Sequence, residues 1–180
     1  MMKLKHRKQA FVALGDAIRT FLQDYNLQNK KPDFNYYNEL IHQSIEKSIE
    51  NNQWFIRQHI LYALQAISNM LTFKNLDSWL EHYVLNSNHD KKPLEIGVIN
   101  AGNIPAVGFH DFLTVLITGN KYAGKLSSDD PYLLPCFAEI LINIDKKFSD
   151  LITFHPKIPL NADAVIATGS NNTARYFDFL

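Results

Sequence analysis

Three short polar turns hold the residues that could do chemistry, and each follows an apolar run. They are Asn100-Ala101-Gly102-Asn103-Ile104-Pro105, Lys125-Leu126-Ser127-Ser128-Asp129-Asp130-Pro131 and Thr168-Gly169-Ser170. The first supplies a glycine, an amide side chain and a helix start; the second a cation and two hydroxyls. The third ends the apolar run Ala164-Val165-Ile166-Ala167 in a glycine, where the backbone can approach a ligand and the free N–H groups of a following helix favour an anion. Thr-Gly-Ser by itself is also an ordinary turn with an N-cap. In a parallel sheet, however, all three turns would open at one edge, and a dinucleotide is the economical ligand for a cation, hydroxyls and a phosphate-sized nest brought together there.

Other chemistries find little support. The only cysteine, Cys136, lies in Pro-Cys-Phe-Ala-Glu-Ile-Leu with apolar neighbours at helical spacing, which reads as a packed core thiol. His42, Glu46, His59, His82 and His89 have no metal-ligand spacing, so no metal is expected.

The turns need strands and helices to hold them. Leu94–Asn100, Lys121–Leu126, Leu151–Phe154 and Ala162–Ala167 read as short strands, with helices expected over Pro105–Thr118 and from near Asp130-Pro131 to Ile144. Pro135 is awkward in the latter and predicts a distorted first turn or a later start. A further helix is expected from Asn171. Before Asn86 the periodicity is helical throughout. Phe11, Leu14, Ile18, Phe21, Leu22 and Tyr25 form one stripe; Phe34, Tyr37, Ile41, Ile45 and Ile49 a second; Ile56, Ile60, Ala63, Leu64, Ile67 and Leu71 a third; and Asn75 is expected to cap a fourth helix carrying Leu76, Trp79, Leu80 and Tyr83. The polar run from Asn86 to Pro93 separates the two regimes. The expected architecture is therefore α/β: a helical region over residues 1–88, then a Rossmann-like parallel sheet over 94–180.

At 180 residues the chain can bury roughly 70% of the surface its unfolded form exposes. Eighteen basic residues balance eighteen acidic ones, which argues against a nucleic-acid partner. The cluster Lys3, Lys5, His6, Arg7 and Lys8 reads as a solvated helix start. One cysteine excludes an intrachain disulfide, and with no signal peptide or membrane span in the pattern the cytoplasm is the expected location.

The Gly-Asn-Ile-Pro turn, Lys-Leu-Ser-Ser followed by Asp-Pro, and Ala-Thr-Gly-Ser-Asn-Asn-Thr, in that order, resemble the long-chain acyl-CoA reductases, kin of the fatty-acid reductase of bacterial luminescence within the aldehyde dehydrogenase superfamily. The resemblance covers the half of the chain from Leu94 onward. It implies NADPH-dependent reduction of a fatty acyl-CoA thioester to the aldehyde through a cysteine acyl-enzyme. Asn103 matches the amide that holds the thioester oxygen as it becomes an oxyanion. Lys125 matches the lysine that reaches the adenosine ribose, with Ser127 and Ser128 beside it. Ser128 stands where many aldehyde dehydrogenases carry a glutamate that repels a 2′-phosphate, so NADPH is expected over NADH, which the site could still take. Gly169 and Ser170 match the pair that contacts the pyrophosphate.

Singly, each residue also has an ordinary reading: Asn103 as a helix cap, Lys125 as a strand-end charge, the serines as turn residues. The departure from the family is the nucleophile, which there lies beyond the Gly-Ser turn. The apolar end at Tyr176, Phe177, Phe179 and Leu180 reads as a fragment, truncated in its nucleotide-binding region and silent alone. Two other readings are a non-catalytic nucleotide-binding module and an interaction protein that docks through its helical half. Homo-oligomerisation is left open.

Overall fold

The computed structural model describes residues 2–26, 35–83, 92–157 and 161–168. Gly169, Ser170, the helix expected from Asn171 and most of the 86–93 connection lie outside the described residues.

Four helices come first: α1 (Leu4–Asn26), α2 (Tyr36–Asn51), α3 (Arg57–Met70) and α4 (Phe73–Leu80). Each forms where apolar residues recur every three or four positions, and the helices bury most of each stripe; Ile56 before α3 and Tyr83 after α4 lie outside the helices and are exposed, so Tyr83 is not carried by α4 as expected. Phe11, Leu14, Ile18 and Phe21 of α1, Ile41 and Ile45 of α2 and Ile60 of α3 are fully enclosed. Asn35 caps α2 by accepting from the Asn38 N–H at 3.0 Å. The cap of α4 is Thr72 rather than Asn75. Thr72 is extended, at φ −107° and ψ 154°, and its hydroxyl accepts from the Asn75 N–H at 3.2 Å, while the Asn75 amide donates to the Asn69 carbonyl at 2.6 Å.

The basic cluster at the start of α1 is not uniformly solvated. Arg7 is 6% exposed: its Nε donates to the Ile117 carbonyl at 2.9 Å and its terminal nitrogen to the Met2 carbonyl, while Lys8 pairs with Asp77 of α4. A cation at the last carbonyl of a helix satisfies an orphan acceptor and complements the helix dipole.

The second half alternates strand and helix as expected, in the order β1 (Glu95–Ile99), α5 (Phe109–Ile117), β2 (Lys121–Lys125), α6 (Leu133–Ile144), β3 (Ile152–His155) and β4 (Ala164–Ala167), with a short 3-10 turn at Lys146–Asp150 before β3. α5 starts four residues later than its sequence suggests. Ala106 takes a left-handed φ of 57°, which no α-helix contains, so residues 103–108 form turns and Pro105 is not in the first helical turn. α6 also starts late, at Leu133, which leaves Pro135 within the first turn, where an N–H has no helical partner to lose.

The sheet is wholly parallel, in the order β3-β2-β1-β4. Register pairs Ile99 of β1 with Lys125 of β2 on one side and with Ala167 of β4 on the other, so three strands finish level. Side chains alternate between faces. Ile96, Val98, Tyr122 and Ile152, from one face, join the core cluster with α1, α3, α5 and α6; Ile99 and Ala123, from the other, are buried outside that cluster. No helix among the described residues is long and apolar enough to cross a membrane.

The helical and α/β layers share that core. Phe11 of α1 meets Phe112 of α5 edge-on at 6.4 Å between ring centroids and Phe148 at 6.0 Å. Phe11→Ala is therefore expected to cost ~3–5 kcal/mol, read as a lower urea midpoint for one cooperative transition. Two separated transitions, with the α/β signal unshifted, would show instead that the layers fold independently.

Candidate functional site

Where the chain leaves β1 it moves toward β2, and where it leaves β4 it stands on the opposite side of β1. That reversal is the switch point of an open parallel sheet, and it leaves a crevice beyond the carboxyl ends of β1 and β4 in which such folds bind ligands.

Asn100, the first residue past β1, organises this rim although it is only 7% exposed. Its N–H and its side-chain Nδ2 both donate to the Lys125 carbonyl, each at 3.0 Å, and its Oδ1 accepts from the Tyr122 hydroxyl at 3.0 Å. The end of β1 is thus bound to the end of β2 by one amide. The approach of α5 is equally close: a Cβ on Gly108 would stand 2.2 Å from the Asn100 Oδ1. Two residues on, a Cβ on Gly102 would meet the Ser127 Oγ at 2.3 Å, so only glycine lets the turn after β1 lie against the turn after β2.

Two carboxylates complete the tie. Asp130, 6% exposed, accepts from the Ala106 N–H at 2.7 Å through Oδ2, which holds the left-handed residue in place; its Oδ1 has no hydrogen-bond partner among the described residues. Desolvation raises the Asp130 pKa, and the backbone N–H groups of Ala106 and Leu133 only partly offset it. Asp111 in the first turn of α5 accepts from the Thr168 hydroxyl at 2.9 Å, and the Thr168 N–H reaches the Ile99 carbonyl at 3.5 Å. The end of β4 thereby joins the same rim.

Four of the six residues expected from sequence lie on the loops of this frame. Asn103 is exposed and makes no hydrogen bond among the described residues, so its amide is open to a ligand; it does not cap α5, whose N-cap is Gly108 without a side-chain bond. Lys125 ends β2, its ammonium without an ion pair among the described residues. Ser127 accepts from the Asp129 N–H at 3.2 Å and so does turn work, as its ordinary reading has it, whereas the Ser128 side chain is exposed. Asn103, Lys125, Ser127 and Ser128 are thus brought to one rim; Gly169 and Ser170 lie outside the described residues, although Thr168 before them is on it.

Sequence reasoning did not single out Asn100, Asp111 or Asp130. Asn100 and Asp130 had a signal: each is a polar residue at the junction of an apolar strand or helix with a Gly- or Pro-bearing turn, where burial demands a partner. Nor did it foresee that the helical region touches the site. Asn51 and Asn52, at the turn from α2 to α3, donate to the Ser128 carbonyl at 2.8 Å and the Asp129 carbonyl at 3.2 Å.

Cys136 is buried on α6, and burial pushes its thiol up to about 12. A thiol that titrates there is almost wholly protonated at neutral pH and is no nucleophile. No group of His, Cys, Asp and Glu among the described residues could hold a metal ion.

Asn100→Ala leaves the Tyr122 hydroxyl without its acceptor inside the core and is expected to cost ~2 kcal/mol in urea denaturation; a change under ~0.5 kcal/mol would mean that solvent takes the amide's place. For Asp130 the sign is set by its raised pKa. The stability it contributes is fully present below the unfolded-state value and is lost as pH rises through the folded-state value. Against Asp130→Asn, unfolding free energy should therefore move in the variant's favour from acid to neutral pH. Movement toward the wild type would mean that the Ala106 N–H outweighs desolvation.

No curated protein and no solved structure matches the chain. A family model does: that of the acyl-CoA reductases (LuxC), over residues 9–177, which takes in the helical layer as well as the sheet and its rim. The chain belongs to the acyl-CoA reductase (LuxC) family, oxidoreductases that act on acyl-CoA and depend on a pyridine nucleotide.

Proposed function

We propose that this chain carries the dinucleotide-binding part of an NADPH-dependent reductase that converts a fatty acyl-CoA thioester to the aldehyde through a cysteine acyl-enzyme. What supports the reading is that Asn103, Lys125 and Ser128 all stand on loops leaving the carboxyl ends of β1 and β2, with the Asn103 amide and the Lys125 ammonium uncommitted among the described residues. A dinucleotide lying across that rim places its adenosine at the end of β2 and its pyrophosphate near the turn after β4.

Each group has a task in this reading. Lys125 and Ser127 hold the adenosine ribose. Ser128 leaves room and no repelling charge for a 2′-phosphate, which favours NADPH while still admitting NADH. Gly169 and Ser170 receive the pyrophosphate, the role that the family resemblance implies for them. Asn103 donates to the thioester oxygen as negative charge develops on it. A cysteine thiolate attacks the thioester carbon, the acyl group passes to its sulfur and coenzyme A leaves as its thiolate. The dinucleotide, when bound, would supply the hydride that reduces the enzyme thioester to the aldehyde, the carbon–sulfur bond breaking to release the cysteine as its thiolate.

Cys136 does not fit the nucleophile's role, being protonated and enclosed, so the thiolate comes from outside these 180 residues. In this reading residues 1–88 form a helical region that braces a nucleotide-binding region over 94–180, the whole working in the cytoplasm.

Calorimetric titration of the chain with NADPH and NADH tests the reading. Saturable binding is expected, tighter for NADPH, and Ser128→Glu should weaken NADPH by about tenfold more than NADH through added charge repulsion. Equal losses would remove Ser128 as the selector, and no binding of either at millimolar concentration would overturn the site.

A further inference from the structure

The turn between α2 and α3 is built with more care than a connection needs. The Asn51 amide donates to the Ser128 carbonyl at 2.8 Å, and the Asn52 amide is used at both ends: its Nδ2 donates to the Asp129 carbonyl at 3.2 Å and its Oδ1 accepts from the Trp54 N–H at 3.0 Å. Phe55, next in line, is 2% exposed and donates its N–H to the Asn52 carbonyl at 2.9 Å. Arg57 closes the turn from the far side with a bidentate pair to Glu46 of α2, at 2.5 and 2.7 Å, and holds that carboxyl below the usual carboxylate range.

Between these anchors Trp54 is 87% exposed. An indole offers some 200 Å² of mostly apolar surface, and leaving it in water on a well-fixed turn forfeits burial that a polar residue would not need. One amide links its backbone to the loop after β2. Resting on the reading that adenosine lies at that loop, we propose that Trp54 is a wall of the adenosine subsite and stacks the adenine of the dinucleotide. The helical region then contributes directly to cofactor binding, because the flat base at the outer end of the ligand needs an apolar cover and the groups assigned to the cofactor on the sheet rim are amides, hydroxyls and a cation.

The chain has two tryptophans, Trp54 and Trp79, so Trp79→Phe leaves Trp54 as the sole indole reporter. In that background NADP⁺ and 2′,5′-ADP should quench the emission along the calorimetric binding curve, and nicotinamide mononucleotide, which has no adenine, should not. Trp54→Ala should weaken NADP⁺ about tenfold, in the range of base stacking on an aromatic ring, and Trp54→Phe should restore most of the affinity. Neither should shift the unfolding midpoint, since the side chain is exposed. Wild-type affinity in Trp54→Ala, or unchanged emission with calorimetric saturation, overturns the adenine wall alone. No heat from wild-type protein with any dinucleotide overturns the site and this proposal with it.

Discussion

The rim of this sheet depends on one buried amide. Parallel strands end with carbonyls and N–H groups that have no further ladder to join, and at this edge they must be satisfied while the chain turns away from the sheet. Asn100 does this by donating twice to the carbonyl of Lys125 and accepting from the Tyr122 hydroxyl, which leaves β1 and β2 locked at the point where their loops diverge. Everything proposed for the site inherits its geometry from that lock. Asn103 is three residues downstream, Lys125 supplies the carbonyl, and Ser127 is in contact range of Gly102 because the two loops leave the sheet side by side.

Rigidity here is distributed among elements distant in the chain. The Tyr122 ring, which presents the hydroxyl, is held edge-on by Phe112 at 5.0 Å and by Phe154 at 6.0 Å. Phe112 in turn meets Phe11 of α1. A continuous set of aromatic contacts therefore runs from the helical layer to the hydrogen bond that fixes the rim, while Arg7 of α1 secures the far end of α5. At the opening of the site α2 adds Asn51 and Asn52 on the loop after β2. The helices brace the parallel sheet from behind and along its edge.

The electrostatics divide the same way. Two groups on the rim, the Asn103 amide and the Lys125 ammonium, make no hydrogen bond or ion pair among the described residues. Groups behind it are desolvated and shifted toward neutrality, with the Asp130 carboxyl and the Cys136 thiol both raised by burial. A protonated, enclosed thiol on α6 belongs to packing.

Periodicity alone determined much of this protein. The helical stripes and the four short apolar runs are local patterns, so the described elements lay within a few residues of their expected positions, and the order of three motif-bearing turns pointed to the family. What the tertiary structure decided is what local pattern cannot encode. The left-handed Ala106 that delays α5 is held by Asp130, 24 residues away; Arg7 leaves a basic cluster for a helix end 110 residues on; and Asn51 and Asn52 reach the loop at Ser128 and Asp129. Each is a polar group whose partner is chosen by folding, and a sequence states that such a group must be satisfied when buried without stating by whom.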